Sequence, residues 1–205
     1  MSEDGPRVAL TFDAEHPDRP RCPPGGAERI LAVLRDTHAR ATFFLQGRWA
    51  CSRPEVARRI ADEGHLVGHH SHYHVRMPLL TDDGIARDVR EGEEAIRMSS
   101  GADPRPWFRC PFGAGADDPR VLGVLERLGY RHAGWHVELE DWEPWRAAED
   151  IAREAVEGAL AHGDGAIVLL HTWPAATREA VPAIVEGLVT AGARLVGVDE
   201  LEGLP

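Results

Sequence analysis

The chain has 205 residues, 43% of them hydrophobic and 28% charged, which suits a globular protein able to bury a core. Its net charge of −11 argues against a polyanionic partner such as nucleic acid, and its basic side chains are all arginine, so Schiff-base chemistry and a P-loop lysine are excluded. Three scattered cysteines, Cys22, Cys51 and Cys110, suggest neither a disulfide framework nor a zinc knuckle.

Residues 1–7 are polar, with no basic or hydrophobic leader region, and lead into a β-prone run over 8–12 that ends at Asp13. A loop follows with Pro17, Pro20, Pro23, Pro24, Gly25 and Gly26, then a helical pattern over 27–38 with Ile30, Leu31 and Leu34 on one face. Residues 41–45 read as a second strand, and Pro54 as the first residue of a helix through Glu63. Leu66 and Val67 open a third strand that runs into a histidine-rich stretch, where five of the chain's eleven histidines fall within 64–74. Thr81 caps a long amphipathic helix to about Ser99, residues 107–109 form a short fourth strand, and Asp118-Pro119 opens a helix that stops at Gly129. A fifth strand over 130–136, a helix over 146–162, an apolar strand over 166–170, a helix over 177–191 and a last strand over 194–196 complete the pattern.

No apolar run reaches the ~20 residues a membrane helix needs, so the expectation is a cytoplasmic protein with no membrane segment. No linker divides the chain, and one domain over 1–205 is expected. Strands and helices alternate without hairpin signals, which implies right-handed crossovers and a parallel sheet. The fold expected is a closed or nearly closed α/β barrel of about seven parallel strands, short for a regular eightfold one. An open doubly wound sheet is the alternative. No Gly-x-Gly-x-x-Gly turn follows the first strand, so a dinucleotide site has no support.

Reactive groups in parallel β/α folds gather at the carboxyl ends of the strands. Those ends carry Asp13 and Glu15, His70 and His74, Arg109, the group Glu138, Glu140, Asp141 and Trp142, and finally His171. So many titratable residues at one rim, above apolar strands, point to an enzyme. His70 and His74, spaced i, i+4, can share one metal ion if the chain between them turns like a helix. His65, His69 and His72 stand at the wrong offsets and read as support or solvent. Glu140 reads as a solvated carboxylate, and Cys110 as a buried small hydrophobe.

Five short motifs stand in order along the chain. They are Thr11-Phe12-Asp13-Ala14, His70-Ser71-His72-Tyr73-His74, Arg109-Cys110-Pro111-Phe112-Gly113, Asp141-Trp142 and Leu169-Leu170-His171. Together they resemble the polysaccharide deacetylases of the NodB-homology type (carbohydrate esterase family four) from about Val8 to Val198. The resemblance implies a deformed β/α barrel that uses a divalent metal, usually zinc, held by two histidines and an aspartate. It makes His70 and His74 ligands, Asp13 the general base, Arg109 its tuning partner, His171 the general acid and Asp141 the residue that orients His171. Phe112, Trp142 and Leu169 would then line the substrate site. The implied activity is hydrolysis of an acetyl group from an amino sugar, glycan precursor or other acetylated small molecule. Hydrolysis of another C–N bond, such as a cyclic amide or imide, and an inactive carbohydrate-binding relative are the alternatives.

The third motif has Phe112 where the family has tyrosine, and the fourth has Glu138 for its first aspartate, but the departure that matters lies in the first motif. Ala14 stands where the family has its metal aspartate, and alanine ligates nothing. Glu15 can reach the ion directly or through water, Asp13 can shift to become the ligand and leave the base role to Glu15, or the site keeps only two histidines, binds metal weakly or has lost activity; the expectation is an active site with Asp13 close to the metal.

Overall fold

In the computed structural model, which describes residues 5–20, 22, 24–201 and 203, eight strand segments form one curled parallel sheet clothed by helices. The leader residues 1–4 and Pro23 of the Pro/Gly-rich loop lie outside the described residues. The strands are β1 (Arg7–Ala14), β2 (Thr42–Leu45), β3 (Leu66–His69), β4 (Trp107–Phe108), β5 (Arg131–His132), β6 (Val137–Glu138), β7 (Ala166–His171) and β8 (Arg194–Leu195). The helices are α1 (Gly26–Asp36), α2 (Gly47–Ser52), α3 (Pro54–Asp62), α4 (Asp82–Ser100), α5 (Pro119–Arg127), α6 (Ala148–His162) and α7 (Ala175–Thr190). Spatial order runs β5-β4-β3-β2-β1-β7-β6, with β8 beside the start of β1. This is the deformed β/α barrel expected from the alternation, curled but not closed by a ladder.

Local chemistry sets the helix ends. Thr81 Oγ1 accepts from Gly84 N at 3.1 Å at the start of α4, and Asp118 Oδ1 accepts from Arg120 N at 2.9 Å at the start of α5. Gly101, at φ 77°, ends α4 in the left-handed conformation that costs glycine least.

Two layers follow from the two-residue period of the strands. Val8, Leu10, Phe12 and Ala14 of β1 face the helices, in the same apolar cluster as Ile30 and Leu34 of α1 and Ile184 of α7. Ala9 faces the barrel interior, in a cluster with Phe44, Trp107 and Ile167. Strand β7 repeats this, with Val168 and Leu170 outward and Ile167 inward. Asp13 lies opposite His171 in the register of β1 and β7, so those two residues end neighbouring strands.

Three expectations need correction. Residues 130–136 are not one strand: β5 lies at one edge of the sheet and β6 at the other, and residues 133–136 cross between them. The crossing buries Ala133 and Gly134 much as a strand would, so the run has no local mark of where its pairing ends. Helix α2 was not anticipated, since six residues are too few to show a helical period. Finally, the chain between His70 and His74 is a loop and not a helical turn, with positive φ at Ser71 (64°) and His74 (56°).

Candidate active site and metal centre

That histidine loop is held from beneath by a carboxylate. Asp88 of α4, 4% exposed, accepts from the backbone N–H groups of His72 (3.0 Å) and Tyr73 (3.1 Å). Ser71 Oγ accepts from His74 N at 3.1 Å, and Gly47 N donates to Ser71 O at 2.9 Å. The loop so fixed brings the rings of His70 and His74 to 4.9 Å between centroids. His70 Nδ1 lies 2.9 Å from the Arg109 carbonyl, so that nitrogen carries the proton and Nε2 presents its lone pair.

What meets those imidazoles is Glu15. Its Oε2 lies 3.4 Å from His70 Nε2 and in direct contact with His74 Nε2. Glu15, His70 and His74 form the one group of three potential ligands found among the described residues. The strand period explains why Glu15, and not Ala14, faces the two imidazoles. β1 runs on through Ala14, paired with Leu45, which commits residue 14 to the helix-facing core. The next residue returns to the face of Asp13. Asp13 Oδ2 stands 3.5 Å from His70 Nε2, but its Oδ1 is taken by Arg109 Nη1 at 3.0 Å.

Arg109 is fully buried and uses its whole fork. Nε and Nη2 donate to the carbonyls of Ala133 (3.0 Å) and Gly134 (2.9 Å), and Nη1 to Thr11 Oγ1 (2.8 Å) and Asp13. One side chain therefore supplies donors where the sheet has no ladder and holds the Asp13 carboxylate. Its guanidinium also lies 4.1 Å over the Phe44 ring.

The opposite wall is a second pair. His171 Nδ1 lies 2.7 Å from Asp141 Oδ1, while Asp141 Oδ2 accepts from His171 N (2.8 Å) and Thr177 Oγ1 (2.6 Å). Burial alone would push the His171 imidazole down; the Asp141 carboxylate outweighs it, helped by Glu15 and Asp13, and raises the pKa to about 9. Burial would likewise raise Glu15, but hydrogen bonds from His16, His70 and His74 hold it well below the usual carboxylate range. Burial opposes a proton on His70, yet Asp13 and Glu15 raise its pKa, so a cation at this place competes with a proton. Burial pushes His74 down.

These groups open into a cavity of about 440 Å³ lined by Asp13, Glu15, His70, His74 and His171, with Phe112, Trp142 and Leu169 around them. Asp13, Glu15, His70, His74, Phe112, Glu138, Trp142, Leu169 and His171 thus lie at this one rim, with Arg109 and Asp141 buried behind their partners. Arg19, Arg76, Trp135 and Glu143 also line the cavity and were not anticipated. Neither were His16 and Trp173, which contact Glu15; their adjacency to Glu15 and His171 in the chain was the available signal. His69 is buried structure: Ser71 N donates to its Nδ1, its Nε2 meets Val89 O at 2.9 Å, and burial lowers its pKa to about 3. Glu140 is exposed as expected, and burial pushes the Cys110 thiol up to about 12, which leaves it inert at neutral pH.

The family model described as Polysaccharide deacetylase matches residues 1–133. The chain belongs to the polysaccharide deacetylase family. This deacetylase-family chain is 28% identical over 200 residues to the peptidoglycan-N-acetylmuramic acid deacetylase PdaA of Bacillus subtilis, a match covering 95% of the chain and 70% of PdaA. Among solved structures it superposes on the T48 deacetylase with substrate at a TM-score of 0.81 and 34% identity, covering 95% of this chain and 89% of that one. It also superposes on BA3943 of Bacillus anthracis, a family pseudoenzyme, at a TM-score of 0.83 and 26% identity, covering 98% of this chain and 66% of that one. No helix among the described residues is long and apolar enough to cross a membrane.

Proposed function

We propose that this protein hydrolyses the N-acetyl (or O-acetyl) group of an amino sugar or glycan precursor, using a divalent cation, Zn²⁺, held by Glu15, His70 and His74. The observation that carries this reading is the convergence of one carboxylate oxygen and two imidazole nitrogens between the Asp13–Arg109 and His171–Asp141 pairs. The donor set fits the ion. Two neutral imidazoles and a carboxylate are a usual catalytic zinc set, with a fourth place for water or substrate. Glu15 Oε2 and the Nε2 atoms of His70 and His74 are buried and turned toward one another, and a cation placed among them would draw on all three. Asp13 is then free of the ligand role.

When bound, a Zn²⁺ ion lowers the pKa of water and polarises an acyl carbonyl. The residues around it supply the rest. Asp13, anchored through Oδ1, accepts a proton from the attacking water on Oδ2. Arg109 holds that carboxylate by Oδ1 and leaves Oδ2 turned to the cavity. His171 offers the proton on Nε2 to the departing amine, since Nδ1 is committed to Asp141. Leu169 and Trp142, whose ring meets His171 edge-on at 5.2 Å, make a small apolar wall against which an acetyl methyl fits. Phe112, 54% exposed above His74, offers a face to a sugar ring.

The test is acetate release from N-acetylglucosamine oligomers and from acetylated small molecules, with zinc content measured alongside. Cyclic amides and imides belong in the same screen. Stoichiometric zinc, acetate release and loss of turnover in His171→Ala support the reading. No acetate from any acetylated substrate by the zinc-loaded protein refutes it.

A further inference from the structure

The two oxygens of Glu15 have different surroundings. Oε2 faces His70 and His74. Oε1 faces away from them and meets two other side chains, the indole Nε1–H of Trp173 at 3.2 Å and Nε2 of His16 at 3.0 Å. His16 is itself held in place. Its backbone N–H donates to Gln46 Oε1 at 2.9 Å, Gln46 is buried, and Gln46 N donates to the Ala14 carbonyl at 3.0 Å. His16 takes a left-handed φ of 57°, which a histidine adopts only when its surroundings hold it there. Its ring packs edge-on against His74 at 4.6 Å and against Trp173 at 6.4 Å.

A glutamate ligand has one more rotatable bond than an aspartate. It loses more rotamer entropy when fixed, and it can swing to offer both oxygens to an ion. Donors committed to Oε1 remove both problems: they fix the carboxylate plane before any ion arrives and leave a single oxygen to bind. Groups that orient a ligand in this way typically change metal affinity by ~10- to 100-fold when removed.

We propose that His16 and Trp173 are positioning residues that clamp Oε1 of Glu15, so that the glutamate standing in for the missing residue-14 ligand binds the cation through Oε2 alone. This rests on the cation reading given above. The clamp explains how the site tolerates Ala14: the extended strand turns Glu15 to the right face, and the two donors take up its extra length.

The test uses chelator-stripped protein titrated with Co²⁺, followed by the visible absorption of the bound ion, and with Zn²⁺ in competition. The variants are Trp173→Phe, which keeps a ring and removes the N–H, His16→Leu, which removes the donor, and His16→Gln, which restores an N–H. Trp173→Phe and His16→Leu should each weaken Co²⁺ binding by ~10-fold and change its visible band as Oε1 becomes free to bind, while His16→Gln stays within about threefold of the unmodified protein. Thermal unfolding of each metal-free variant checks the fold; if Trp173→Phe does not fold, the His16→Leu and His16→Gln pair decides. Unchanged affinity and an unchanged band in His16→Leu and every folded Trp173 variant overturn the clamp. If the unmodified protein takes up neither Co²⁺ nor Zn²⁺, the cation reading falls first, and the clamp with it.

Discussion

Replacing Asp141 by asparagine removes a charge and keeps the shape, which isolates what the carboxylate does for His171. Asp141 is 1% exposed and its Oδ1 is 2.7 Å from His171 Nδ1. Burial pushes the imidazole down, Asp141 overcomes it, and the pKa stands at about 9 against an ordinary 6.5. That difference is about 3 kcal/mol in favour of the imidazolium, at about 1.4 kcal/mol per pH unit. In Asp141→Asn burial remains and its counterweight is gone, so His171 should titrate at or below 6.5. NMR titration of the metal-free protein reads this directly, since a bound dication would offset the contributions of Glu15 and Asp13. The midpoint should fall by at least ~2 pH units.

The same change appears in the rate and in the stability. The basic limb of kcat in the zinc-loaded enzyme, set by loss of the His171 proton, should move to lower pH in Asp141→Asn, with a lower rate along that limb. A folded pKa raised above the unfolded 6.5 contributes stability that is full below pH 6.5 and is lost as pH climbs through about 9. Denaturant midpoints of the unmodified protein should therefore decline across that window, by up to about 3 kcal/mol, while Asp141→Asn stays flat. An unmoved His171 midpoint together with an unmoved basic limb refutes the general-acid pair.

The two carboxylates of β1 should separate by role: Glu15→Ala should cut zinc occupancy at equimolar metal to a small fraction, whereas Asp13→Asn should keep the zinc and lose ~10²- to 10⁴-fold in acetate release, as metal analysis and turnover would show. Arg109→Met strands the buried Asp13 carboxylate and two carbonyls and should cost about 3–5 kcal/mol in urea unfolding, and Arg109→Lys, lacking the fork, should recover only part of this. Gly68→Ala places a Cβ 2.6 Å from Cδ1 of Phe44, the ring beneath the Arg109 guanidinium, and should destabilise by about 1–3 kcal/mol while lowering turnover. Because protons compete with the cation at His70, zinc affinity should fall as pH drops, and equilibrium dialysis between pH 8 and pH 5 would measure that decline.

Period and punctuation in the sequence were enough to determine the alternation of β1 to β5, β7 and β8 with the longer helices and the capping at Thr81 and Asp118. They also placed Asp13, His70, Arg109 and His171 at strand ends, because a parallel β/α fold puts every such end at the same rim. Three matters waited for the tertiary structure. That 130–136 holds β5 and then a crossing toward β6 is a matter of which edge each segment pairs with, and a run of seven residues has no local signal for that. The convergence of His70 and His74 comes from a loop tied to Asp88 on α4, so the i, i+4 spacing pointed to the right pair through the wrong geometry. Whether Glu15 joins Asp13 on the face of the two imidazoles turned on whether β1 ends at Asp13 or continues through Ala14, and pairing with Leu45 across the sheet shows that it continues. Composition and spacing act within a segment; partner, edge and face are set by contacts between residues far apart in the chain, and those decided how this site is completed.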